Sequence, residues 1–144
     1  MLVSDVDETR AAATGLETVA PDAVFGFEVD VFAPCAVGAI LNGETIPLLN
    51  CRAVAGAANN QLAEPSDAEL LQERDILFAP DYVVNSGGVI YLIELIDEGR
   101  DADGIEAGLA GIADTLRGLF AEADADGITP VEAANRMVQR RLAA

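Results

Sequence analysis

Residues Val54–Pro65 read VAGAANNQLAEP. The stretch opens as the end of an apolar run, RAVAG over Arg52–Gly56, which predicts a short buried strand. It then turns at once to small and amide side chains, Ala57-Ala58-Asn59-Asn60. A strand that stops on such residues is composed as a loop facing a ligand is composed. A polar turn after a buried strand has the same composition.

On the N-terminal side lies DVFAPCAVGAILN, Asp30–Asn42, and on the C-terminal side ILFAPDYVVNSGGVI, Ile76–Ile90. Each repeats the grammar: an apolar run, a proline, then small or polar residues. Strands are expected at Val29–Phe32, stopped by Pro34, and at Ile76–Phe78, stopped by Pro80. Ala36–Leu41 and Glu44–Leu49 are expected to form one or two helical turns each. Ser66–Arg74 reads as a helix with Ser66 as N-cap and Glu69 as its capping-box partner.

Further out, Leu2–Ser4 is a short strand ending at Asp5, and Glu8–Thr14 a short alanine-rich helix. Gly15–Phe27 reads as a connection. The C-terminal third is helical. Ser86–Glu98 follows the Ile76–Phe78 strand through Gly87-Gly88. Ile105, Leu109, Ile112, Leu116 and Phe120 recur at helical spacing on one face. Thr129 caps a last helix with Pro130 in its first turn and Glu132 three residues on. Arg136, Arg140 and Arg141 lie toward the negative end of that helix's dipole.

Short strands alternating with helices predict an α/β protein with a parallel sheet covered on both faces. In such sheets ligands bind beyond the carboxyl ends of the strands. One partial domain over 1–144 is expected, a sheet region to about residue 85 and C-terminal helices over 86–144.

The chain has 25 acidic and 8 basic residues, a net charge of −17, with every basic residue an Arg. Nucleic acid and anionic membrane surfaces repel such a charge. Dense carboxylates suit a salt-adapted cytoplasm, and absence of lysine equally suits a GC-rich coding sequence. No apolar run reaches the ~20 residues of a membrane helix, and no basic-then-apolar leader is visible, so a cytoplasmic location is expected. With no His and only Cys35 and Cys51, no metal site is expected, and the pair reads as two thiols rather than a disulfide.

The three quoted segments, in this order and at this spacing, resemble the nucleotide-binding domain of the glutamate, leucine, phenylalanine and valine dehydrogenases. The leucine, phenylalanine and valine branch is the nearer one. The tail DGITPVEAANRMVQRRLA, Asp126–Ala143, fits that branch's last helix. The resemblance runs from Leu2 onward and implies a Rossmann-like doubly wound sheet, NAD as cofactor, and oxidative deamination of an L-amino acid to a 2-oxo acid and ammonia.

It also implies roles. Asp5 would hold the adenosine ribose, and its charge would favour NAD over NADP. A turn or cap role is the plainer alternative. Ala36 and Val37 would line the cofactor site. Ala57, Ala58 and Asn59 would reach the nicotinamide ribose. Asn59 or Asn60 would sit near the substrate, and Asn85 would contact the nicotinamide region. Gly87-Gly88 is equally explained by close packing at a helix start.

The family's glycine-rich phosphate loop and first strand would precede Leu2, and no G-x-G-x-x-G occurs in the chain. The family's two lysines, one for the substrate carboxylate and one for proton transfer, have no counterpart in a chain without lysine. No catalytic residue is therefore assigned in this chain. A cofactor-domain portion inactive by itself is expected, the alternative being a non-catalytic nucleotide-binding or regulatory remnant. A further domain or a second copy of the chain would complete it. Lacking a central strand, Leu2–Ser4 is expected to slide into the vacant slot beside the Val29–Phe32 or Arg52–Gly56 strand.

Overall fold

A computed structural model of the chain describes residues 1–96 and 102–144. Among the described residues five short strands pair in parallel throughout. β1 (Leu2–Val3) leads through α1 (Glu8–Ala13) to β2 (Glu17–Thr18). After a turn of 3₁₀ helix over Val24–Gly26 come β3 (Glu28–Phe32), another such turn over Ile46–Leu48, and β4 (Asn50–Val54). Then follow α2 (Asp67–Glu73), β5 (Leu77–Phe78), α3 (Asp81–Val84), α4 (Gly87–Ile96), α5 (Ala102–Asp126) and α6 (Pro130–Leu142). The fold is α/β and Rossmann-like, with added C-terminal helices. The last two positions of the helix expected over Ser86–Glu98 lie outside the described residues.

The strands form two sheets, β1-β2 and β3-β4-β5. The expected slide of Leu2–Ser4 does not occur. Leu2 and Val3 pair with Glu17 and Thr18, apart from the three-stranded sheet. The partner was hidden inside the expected connection Gly15–Phe27. Glu17 and Thr18 are both exposed, so no apolar pattern marks them as a strand.

In the larger sheet, Phe32 stands beside Val54 and Val54 beside Phe78. All three are buried, and with Leu41, Ile46, Leu49, Leu71 and Ile76 they form the main core. The next row, Val31, Ala53 and Leu77, points to the other face. There Val31 is 52% and Leu77 42% exposed. Among the described residues cover is concentrated at the carboxyl ends of these strands: Glu28, Asp30, Asn50 and Arg52, on the same face as Phe32 and Val54, are exposed.

The C-terminal helices build a second core from Leu119, Ala123, Ala133 and Ala134. Of the expected stripe on α5, Ile105, Ile112, Leu116 and Phe120 are half-buried. Leu109 is exposed, and the fully buried position is Leu119, with Ala123 one turn on. The start of α6 follows its sequence signal: Thr129 Oγ1 accepts the Glu132 N–H at 3.1 Å. Arg140 grips both Glu122 carboxylate oxygens at 2.9 and 2.7 Å and ties α6 to α5. At α2 the expected Ser66 cap bond is absent. Asp67 instead accepts the Glu64 N–H at 2.8 Å. Cys35 and Cys51 are free thiols.

Candidate functional site

Loops leave the carboxyl ends of β3, β4 and β5 on one side of the sheet, as parallel pairing requires. They are residues 33–41, 55–62 and 79–86. Ala36 and Val37 lie on the first, Ala57, Ala58, Asn59 and Asn60 on the second, and Asn85 at the close of α3 on the third.

The first two loops are joined by their backbones. Pro34 O accepts the Ala58 N–H at 2.9 Å, Asn60 O accepts the Ala39 N–H at 2.7 Å, and Gln61 O accepts the Leu41 N–H at 2.9 Å. Such close approach restricts side chains. A methyl group on Gly56 would overlap the Pro34 backbone, and one on Gly38 would lie 2.9 Å from Asn59 O. Ala39 takes φ +57° and Asn60 φ +53°, the left-handed region. Asparagine adopts it readily, whereas alanine is strained by ~1–2 kcal/mol. The helical turns expected over Ala36–Leu41 do not form, because these donors are spent across the loops.

Three side chains fix the second loop. Gln61, fully buried, donates from Nε2 to Gly56 O at 2.8 Å and Ala58 O at 2.9 Å. Its Oε1 is buried and has no partner among the described residues. Asp81, 9% exposed at the start of α3, accepts the Asn60 N–H at 2.8 Å. Asn85 donates to Asn59 Oδ1 at 2.6 Å and lies 3.4 Å from Ala58 O. With its oxygen engaged, the Asn59 amide can offer a ligand its nitrogen as a donor.

The structure thus brings Ala57, Ala58, Asn59, Asn60 and Asn85 together, with the loop of Ala36 and Val37 zipped alongside. Ala36, Val37, Ala57, Asn59 and Asn60 are exposed, and Asn85 is half-buried. Small exposed side chains and directed amides at strand ends fit a flat, hydrogen-bonding ring such as a nicotinamide. Asp5 follows β1 and is half-buried. Its Oδ1 accepts the Asp7 N–H at 2.8 Å, which shapes the turn before α1. Among the described residues no hydrogen bond links Asp5 to the three loops.

The sequence reading singled out neither Asp81 nor Gln61. Asp81 reads as an ordinary acidic residue in a helix's first turn, and Gln61 as one more polar residue in a loop. Only their long-range partners distinguish them. Burial, and after it the adjacent Asp81 carboxylate, raise the Tyr82 phenol above its usual pKa. Burial likewise raises the Cys51 thiol, against the lowering effect of backbone hydrogen bonds and Arg74.

Known proteins are similar to this chain in sequence and fold. The profile of the Glutamate/Leucine/Phenylalanine/Valine dehydrogenase family matches residues 2–142. Leucine dehydrogenase of Thermoactinomyces intermedius is 42% identical over 99% of this chain and 40% of its own length. Valine dehydrogenase of Streptomyces albus is 50% identical over 80% of this chain and 31% of its own length. The crystal structure of L-tryptophan dehydrogenase from Nostoc punctiforme superposes with a TM-score of 0.90 at 40% identity, covering 97% of this chain and 43% of that one. The chain therefore spans about two fifths or less of the curated relatives it matches here. With its nearly full-length profile match and its shared fold, the chain belongs to the glutamate, leucine, phenylalanine and valine dehydrogenase family.

Proposed function

We propose that the chain is the cofactor-binding portion of an NAD-linked dehydrogenase that interconverts an L-amino acid, such as leucine, valine or phenylalanine, with its 2-oxo acid and ammonia. The observation that carries this reading is the junction of three loops at the carboxyl ends of β3, β4 and β5. It holds Ala58, Asn59, Asn60 and Asn85 by direct hydrogen bonds in a chain of that family. NAD, when bound, supplies the hydride acceptor, and the protein's part is placement. Ala36, Val37, Ala57 and Ala58 allow close approach of the nicotinamide end, Asn59 and Asn85 orient it, and Asn59 or Asn60 borders the substrate. Asp5 holds the adenosine ribose, where its charge opposes a 2′-phosphate.

Turnover needs a base with a suitable pKa, and no lysine occurs among the 144 residues to fill the family's two lysine roles. The polypeptide alone is therefore expected to bind cofactor without oxidising amino acids. That lack of lysine also favours the second reading, a nucleotide-binding or regulatory domain that does not catalyse. A further domain, or a second copy of the chain, would complete an enzyme in the cytoplasm.

Calorimetry with NAD and NADP tests the cofactor assignment. NAD is expected to bind more tightly, and Asp5→Asn to narrow the difference. Tighter binding of NADP would remove Asp5 from the ribose role. NADH production from leucine, valine or phenylalanine by the pure chain would overturn the expectation of inactivity.

A further inference from the structure

Backbone bonds to the 33–41 loop and the amide side chains of Gln61 and Asn85 fix much of the 55–62 loop. Asp81 is different. Its carboxylate is nearly buried, stands 21 residues away, and takes the one N–H that the loop offers at its left-handed residue, Asn60. On one side of Asn60 is Asn59, whose amide is exposed. On the other is Gln61, whose amide is buried. The reversal of direction at Asn60 is therefore what sends one amide outward and the next inward. Asparagine tolerates φ +53° but does not require it. Left to itself, the residue would also populate right-handed and extended conformations. A charged acceptor on the N–H holds the choice.

We propose that Asp81 is the positioning residue of the site. Through the Asn60 N–H it fixes the left-handed turn that presents the Asn59 amide, and so sets how tightly the nicotinamide end of the cofactor is held. This rests on the proposed cofactor reading. Asp81 and Asn85 occur one helical turn apart on either end of α3. The first fixes the loop backbone and the second fixes the Asn59 side chain. The segment from Asp81 to Asn85 thus acts as one polar brace on the loop.

A built-in control exists. Asp67 is buried to a similar degree and accepts the Glu64 N–H at the same 2.8 Å, outside the 55–62 loop. Asp81→Ala, Asp81→Asn and Asp67→Ala are compared in the 144-residue chain by circular dichroism, NADH affinity, and NMR of the Asn60 backbone N–H and Asn59 side-chain amide. Asp81→Ala is expected to keep the fold and speed exchange of the Asn60 N–H. It should also shift the Asn59 amide and weaken NADH binding by about tenfold or more, as for loss of a hydrogen bond to a charged group. Asp81→Asn keeps an acceptor and restores most of both. Asp67→Ala loses comparable stability but neither the Asn60 signature nor affinity. Unchanged Asn60 exchange and unchanged affinity in folded Asp81→Ala overturn the proposal, as does an equal loss of affinity in Asp67→Ala. Should the wild-type chain bind no NADH, the cofactor reading fails, and the Asn60 and Asn59 signals alone decide whether Asp81 holds the turn.

Discussion

Ala39 spends free energy on its conformation. At φ +57° its methyl group opposes the turn that lets its N–H reach Asn60 O. Ala39→Gly removes that opposition, so urea unfolding should show a gain of about 0.5–1 kcal/mol; a loss would mean the left-handed geometry is wrong. Gln61 pulls the other way. Its replacement by Ala removes its bonds to Gly56 O and Ala58 O, leaving the latter only the long Asn85 contact, and empties a fully buried position. The same measurement should show a loss of about 2–4 kcal/mol. Ala36, Val37, Ala57 and Asn59 were singled out by the resemblance to the family, since small and amide residues after a strand suit a plain polar turn equally well. Gln61 and Asp81 were not, since what sets them apart is a partner in space rather than a type or spacing.

Elements differ in how far their own sequence decides them. α6 announces its start through Thr129-Pro130 and Glu132, because a cap is a local hydrogen bond. Strand ends are not local. The expected strand Arg52–Gly56 runs instead from Asn50 to Val54, in register with Glu28–Phe32, because a ladder stops where its partner stops. β2 was invisible for the same reason. Between α5 and α6 the Glu122–Arg140 pair gives a pH test. The hydrogen bond from Arg140, more than its charge, lowers the Glu122 pKa. A carboxyl lowered on folding contributes stability that is present above its unfolded pKa of about 4.3 and is lost as pH falls through the folded value. Acid titration of helical circular dichroism should therefore show a transition below about pH 4.3 that Glu122→Gln weakens. An identical acid limb in the variant would show the pair to be inert. Alkylation separates the two thiols at the same scale. Exposed Cys35 should react quickly, and Cys51, held protonated by burial, slowly. NADH should slow Cys35, which adjoins Ala36 on the first loop.

At the scale of the whole molecule, charge and fold make separate demands. A net −17 on 144 residues repels itself, and salt screens that repulsion, with a Debye length of about 10 Å at 0.1 M and 3 Å at 1 M. The melting temperature should rise between those concentrations of KCl; a fall would argue that ion pairs such as Arg140–Glu122 outweigh the general repulsion. Among the described residues no helix is long and apolar enough to cross a membrane. The parallel α/β plan was legible from three apolar runs, each closed by a proline or by small and polar residues. The division into two sheets was not, because it depends on which edges find partners. The proposed cofactor site spans the loops after β3, β4 and β5. Titration of the ¹⁵N-labelled chain with NADH maps it. Shifts should concentrate at Ala36–Val37, Ala57–Asn60 and Asn85, with a second group around Asp5. Saturating NADH that leaves those amides unmoved, or that moves the α4–α6 helices instead, would contradict it.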